Sequence, residues 1–263
     1  MAVTPINLSV TNITPTSVRL GWVQGQPSAL QALIESLFGL GQPGAIYVFS
    51  PNVQGAQSLF QDSSATTPVS ADGDPIGTTK DQSPNSNSAI QSVSAERPAY
   101  NTDGALNFAA FDGIDDFLQA TYGAAVTLPC TLSIAMNGLD TKNTAVLLTG
   151  LNGDVRHQLS ITSQGNLGAF VGSSGIAGGA LVIGKHIITI VINGANSSLR
   201  VDGVVVASGT LDNSVAATGL TISALWTGGF AAFQDIYGIV HAEGISKVQD
   251  IESYLASLAG VNL

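Results

Sequence analysis

Three carboxylates, Asp112, Asp115 and Asp116, fall within five positions of the stretch FAAFDGIDDFLQA, in a chain whose residues are only 10% charged. Hard cations take about six to eight oxygens, several of them from carboxylates, so these acids are a candidate calcium site. The same pattern is also a turn signature, with Asp112-Gly113 as the bend and the acids accepting backbone N–H groups inside it. The stretch holds no Lys or Arg, so the charges repel one another unless something binds. Both readings stand.

Other reactive residues are less well placed. Asp72 and Asp74 have the spacing of an acid–base pair, but beside Gly73 and Pro75 they read as a turn. VGSSG, Val171 to Gly175, echoes a nucleophile elbow without its strand–turn–helix context. His157, His186 and His241 show no ligand spacing. His186 and His241 are expected at strand edges as ordinary hydrogen-bonded histidines. The single Cys130 rules out an intrachain disulfide and a thiolate zinc cluster, and reads as a buried strand cysteine. Trp226, in ALWTGGF, is the aromatic best placed for stacking a sugar, with Tyr122 and Tyr237 behind it. A half-buried Trp closing one end of the fold is the alternative.

The elements that must position these residues are mostly strands. Thirty Gly, abundant Ser, Thr and Asn, and only 8 Lys and Arg favour strands joined by tight turns. A net charge of −10 repels phosphate backbones and argues against a nucleic-acid partner. No stretch reaches the ~20 apolar residues of a membrane span. MAVTPINLSV lacks the basic and apolar regions of a signal peptide, so synthesis in a cytoplasm is expected, with any exterior location reached by assembly.

Residues 1–25 read as two short strands. They resemble the first two strands of a fibronectin type III domain, a likeness that implies Leu8, Val10, Val18, Leu20 and Trp22 face inward, but no later segment supplies the rest, and an isolated ribbon is marginal in water. Residues 27–38 follow helix grammar, with Leu30, Leu33, Ile34, Leu37 and Phe38 at helical spacing before Gly39 and Gly41. Such a stripe is ordinarily core packing. Beside an orphan ribbon it is assigned here to an anchoring and oligomerisation arm, residues 1–43, with Leu8, Val10, Leu20, Trp22, Leu30, Leu33, Ile34 and Leu37 as its interface. Residues 44–263 form the main domain: the strand AIYVF, a polar passage to residue 104 that wraps the surface with short strands such as AIQSV, many further short strands, and a closing helix over 245–259. Asp202-Gly203 predicts a type I′ hairpin between SSLRV and VVVASG. The strand density predicts an antiparallel β-sandwich.

Three motifs, in order, resemble the concanavalin A-like sandwich in its laminin-G-like form. LNFAAFDGIDDFLQA is similar to that family's L-x-F-D-G-x-D-D-Y-L hairpin, SLRVDGVVVASGT to its V-D-G hairpin, and FQDIYGIVHAEGISKVQDIESYLASLAGV to its closing strand and helix. Residues 44–100 also resemble a leader that precedes such domains in tailed-bacteriophage virion proteins. That leader runs W-Y-D-P-S-D, L-F-Q-D-S-A-G-T-T-P-V, G-D-P-V-G, D-x-S-G-N-G-N-H-A and R-P. Here Tyr47 to Asn52 lose both acids of the first motif, and Asn85 to Ala89 lose the His of G-N-G-N-H-A. The resemblance implies a jelly-roll fold and a non-enzymatic virion structural protein, either capsid decoration, head fibre or tail-fibre associated. Its partners would be other virion proteins and sister copies, with a trimer as the expected assembly. Glycosidases of this fold carry alternating E-x-D-x-E acids, a run missing from this chain. A receptor-binding module for host glycans is the alternative, using Trp226 and the acidic turn. No cofactor is expected beyond the candidate calcium.

Overall fold

The computed structural model describes residues 28–138, 144–162 and 164–263. The first element is α1 (Ala29–Phe38), where Ser28 caps the helix by accepting the Gln31 N–H at 3.1 Å. Strands follow in chain order: β1 (Gly44–Val48), β2 (Asn52–Val53), β3 (Ala56–Gln57), β4 (Leu59–Phe60), β5 (Thr78–Thr79), β6 (Ala89–Ile90) and β7 (Ala99–Thr102). Next come β8 (Asn107–Asp112), β9 (Leu118–Val126), β10 (Cys130–Gly138), β11 (Ala145–Thr149), β12 (His157–Ile161) and β13 (Asn166–Val171). The remainder are β14 (Ser174–Ala180), β15 (Gly184–Ile192), β16 (Ser197–Val201), β17 (Val204–Gly209), β18 (Ala217–Ile222) and β19 (Phe233–Glu243), then α2 (Val248–Ala259).

Every strand pairing is antiparallel, and two sheets stack as the expected sandwich. The first runs β17-β16-β15-β10-β19-β8-β7, with β1 also pairing β19; the second runs β14-β13-β12-β11-β18-β9-β6-β5-β4. Strand alternation fills the space between them. Cys130, Leu132, Ile134 and Met136 of β10 meet Leu118, Ala120 and Tyr122 of β9 and Leu220 and Ile222 of β18. The opposite face of the first sheet is covered as well. Ile46, Val48, Ala135, Ile187, Tyr237 and Val240 pack under Leu30, Leu33 and Leu37 of α1 and Ile251 and Leu255 of α2. The molecule is therefore three layers, helices over sheet over sheet. The central strand β10 is buried along almost its whole length, with Thr131 and Ser133 of its helix-side face hydrogen-bonded to Gly244 and Thr189.

Several expectations hold. Asp202 (φ 48°) and Gly203 (φ 80°) join β16 to β17 with both central residues left-handed, as the type I′ turn requires. Gly260 (φ 68°) ends α2.

Others need correction. The α1 stripe does not face a partner: Leu30, Leu33 and Leu37 are buried against the chain's own sheet and α2, with Ile34 at the edge of that contact. A helix this short is held by burying its apolar face, and the nearest unfilled apolar surface is the back of the first sheet. The other proposed interface residues, Leu8, Val10, Leu20 and Trp22, lie outside the described residues. The polar passage forms short strands as expected, AIQSV among them, but these are part of the sandwich and not only a wrap: β4, β5 and β6 extend the second sheet and β1 joins the first. FDGIDDFLQA is an arch rather than a hairpin. β8 pairs with β7 and β19, whereas β9 pairs with β18 and β6, so residues 113–117 carry the chain from one sheet to the other. Phe111 and Leu118 anchor the arch in the core between the sheets, whereas Phe108 packs on the helix side and Phe117 is only half-buried. The closing helix starts at Val248, because Gly244 is left-handed (φ 91°) and keeps Ile245 out of it.

Candidate functional site

The acidic arch lies at one end of the sandwich. β8 reaches it with Asp112 paired opposite Phe233, the first residue of β19. Gly113 then turns with φ 73°; a Cβ there would stand 2.8 Å from that of Phe233, so only glycine fits. Asp112 Oδ1 accepts the Ile114 N–H at 2.8 Å, and Asp116 Oδ2 accepts the Asp112 N–H at 3.1 Å. The turn reading is therefore met. The carboxylates also converge, each offering an oxygen within 4.8 Å of the others, with Asp116 buried and Asp112 and Asp115 exposed. Burial, reinforced by the Asp112 and Asp115 charges, pushes the Asp116 carboxyl up to about 6 despite the N–H bond it accepts.

Around the arch stand exposed apolar side chains, Ile114, Phe230 and Phe233. Trp226, on the loop between β18 and β19, is half-buried, and its ring covers Gly153. Its carbonyl accepts the Gln119 side-chain N–H at 2.9 Å, so it closes the end of the sandwich. Sequence reasoning overlooked Phe117. It flanks a groove of about 470 Å³ lined also by Ser88, Gln91, Glu96, Gln119 and Thr121. The two amides are held from behind: Gln91 donates to the Phe117 carbonyl (3.3 Å) and accepts from the Val93 N–H (2.9 Å), while Gln119 reaches Trp226. An aromatic side chain among fixed amides and hydroxyls suits a sugar ring, which offers an apolar face and a rim of hydroxyls. The signal available in sequence was the mixture of Gln and Ser in AIQSVS, unusual for a simple edge strand.

The remaining candidates have structural roles. Asp74 accepts the Ser70 and Ala71 N–H groups (2.8 and 2.9 Å) and Asp72 accepts that of Thr102 (2.9 Å), so both hold turns. Ser174 of VGSSG donates to the Val171 carbonyl in a hairpin turn. His186 bonds the Asp202 carboxylate at 2.7 Å and the Val182 carbonyl at 2.9 Å. His241 is not at a strand edge: it sits within β19, fully buried, between Leu132 of β10 and Ala45 of β1. There it meets two residues that spacing alone kept apart, His157 and Cys130, and all three are buried between the sheets. Burial pushes both imidazoles below their ordinary range and the thiol above its own.

No known protein family's profile matches the chain, and no curated protein does. Solved structures do resemble it in shape. Trypanosoma rangeli sialidase in complex with sialic acid superposes at TM-score 0.54 and 13% identity, over 95% of this chain and 36% of that one. The botulinum neurotoxin serotype D/C binding domain superposes at TM-score 0.51 and 8% identity, over 82% of this chain and 52% of that domain. The chain thus spans about a third of the sialidase and half of the toxin domain. At these identities the likeness shows the fold alone: a β-sandwich of jelly-roll kind.

Proposed function

We propose that this chain is a non-enzymatic structural protein of a tailed-bacteriophage virion, fixed on its N-terminal side and displaying the sandwich on the particle surface. One observation supports the reading: the residues shared with the phage leader are those that hold residues 44–104 in shape, and one of them, Asn87, also ties that passage to β9 of the sandwich. Asp81 accepts N–H groups from Ile46, Ser83 and Asn87 at 2.8 to 2.9 Å. Asn85 and Asn87 both donate to the Gly44 carbonyl, and Asn87 also accepts the Gly123 N–H. Asp62 gathers the Ser64, Thr66 and Thr67 N–H groups, and Arg97 donates to the Gln61, Gln91 and Ser92 carbonyls. These bonds shape the leader, and the pairing of β1 with β19, β6 with β9 and β7 with β8 makes leader and sandwich one structural unit. Quantitative mass spectrometry of purified particles is expected to find the chain in fixed ratio to other virion proteins. Its confinement to the infected-cell lysate contradicts the reading. Assembly as a homo-oligomer belongs to the same proposal, and Val204, Val205 and Val206 offer an exposed apolar row on edge strand β17. A stable monomer in light scattering at high concentration counts against that part.

The groove beside Phe117 favours a second reading, a lectin-like receptor-binding module for host glycans. The sialidase that shares this fold was solved with sialic acid, which makes acidic sugars a sensible first panel. A glycan array with and without chelator decides: binding that chelator abolishes joins the acidic arch to the groove, binding that it leaves intact assigns recognition to the groove alone, and no binding leaves display as the function.

A further inference from the structure

The interior between the sheets holds a donor set that neither reading uses. Cys130 of β10, His241 of β19 and His157 of β12 each bring a ligating atom within 4.8 Å of the others. All three side chains are 0% exposed. Cys130 Sγ stands 3.8 Å from His157 Nδ1, and the two imidazole centroids are 5.6 Å apart. A tetrahedral zinc ion with Zn–S of about 2.3 Å and Zn–N of about 2.0 Å separates S and N by about 3.5 Å, so these residues are close to binding distance already.

The hydrogen bonds around the cluster leave imidazole nitrogens to spare. His157 Nε2 lies 2.8 Å from the Val215 carbonyl, which can only accept, so Nε2 carries the proton and Nδ1, beside the thiol, is free. His241 Nδ1 lies 3.1 Å from the Tyr122 hydroxyl, and its Nε2 is buried with no hydrogen-bond partner. A buried imidazole nitrogen left unpaired is costly, and a bound ion would relieve that cost. Each imidazole is thus held to an oxygen of the protein through one nitrogen and has the other unclaimed, the arrangement that orients histidine ligands on metals.

We propose that Cys130, His157 and His241 bind one borderline-soft transition-metal ion, Zn2+ or Cu+, as an internal staple between the two sheets. A thiolate with two imidazoles is the donor set for such ions, whereas Ca2+ and Mg2+ take oxygens. The ion displaces the thiol proton as it binds, and links β10 and β19 of the first sheet to β12 of the second. With all three ligands enclosed, it loads as the chain folds, and a chelator removes it slowly from folded protein.

The test uses the intact chain. Protein refolded with Zn2+ is expected to retain about one equivalent through dialysis, and protein refolded with Co2+ to show a near-ultraviolet thiolate-to-cobalt charge-transfer band. Copper found in place of zinc in protein as purified supports the same site. Cys130→Ser, checked for a β circular-dichroism spectrum and cooperative melting, should lose the band. Folded wild-type protein that takes up no metal overturns the proposal, as does a cobalt band that persists in Cys130→Ser. Should the variant fail to fold, the wild-type uptake and spectrum decide alone.

Discussion

At the level of single residues, Asp116 is the group whose titration reports most directly on the arch. Its folded pKa of about 6 lies above the ordinary value near 4, so the folded state binds the proton more tightly than the unfolded chain. Ionised Asp116 therefore destabilises the fold above about pH 6, and the penalty is relieved as pH falls toward about 4. Asp116→Asn, whose amide oxygen can still accept the Asp112 N–H, is expected to be more stable than wild type by about 2 kcal/mol at pH 7.5 and equal to it near pH 4. Chemical denaturation of both proteins across that range measures this; a difference that does not change with pH contradicts it. The arch was legible in sequence because Asp-Gly and the following acids bond within a few residues of one another. The meeting of Cys130, His157 and His241 was not. Alternation alone puts Cys130 in phase with Leu132 and Ile134, and His157 with Leu159 and Ile161, so each inward orientation could be read. Their convergence depends on the β10–β19 register and on sheet stacking, which join residues more than a hundred positions apart.

Among elements, α2 is the one whose attachment is most specific. Glu252 is buried beneath it and takes two hydrogen bonds from the Arg200 guanidinium of β16, at 2.7 and 2.9 Å, while Arg200 also donates to the Gly203 carbonyl. The helix is thereby tied to the hairpin that Asp202-Gly203 turns. Removing one partner leaves a charge without its counterpart, so Glu252→Ala is expected to cost about 3 kcal/mol and lower the melting temperature by roughly 6–10 °C. The double variant Arg200→Met with Glu252→Leu should recover much of that loss; equal damage in both contradicts the ion-pair account. Sequence reasoning located both helices within three residues, since apolar spacing and terminal glycines are local signals. It could not tell which surface α1 covers, because a stripe looks the same whether a partner or the chain's own sheet receives it. Strand pairing suffered in the same way. β8 and β9 are adjacent in sequence and look like a hairpin, but each finds a better partner far along the chain.

For the whole molecule, composition and strand density were enough to predict the sandwich, and the structure adds a helical layer on one face and the leader's strands at the sheet edges. The α1–β1 connection sits where Gly44 pairs with Ala242, at the far end of β19 from the acidic arch, where Phe233 pairs with Asp112. At about 3.4 Å per residue those two ends are roughly 30 Å apart. Display on a particle from the N-terminal side would leave the arch and the Phe117 groove facing outward. Binding of an antibody raised against the arch, residues 112–117, to intact purified particles tests this most directly. The account predicts regular labelling of the particle exterior in negative-stain images, abolished by prior incubation with the purified protein. Unlabelled intact particles, with labelling only after disruption or none at all, would contradict it.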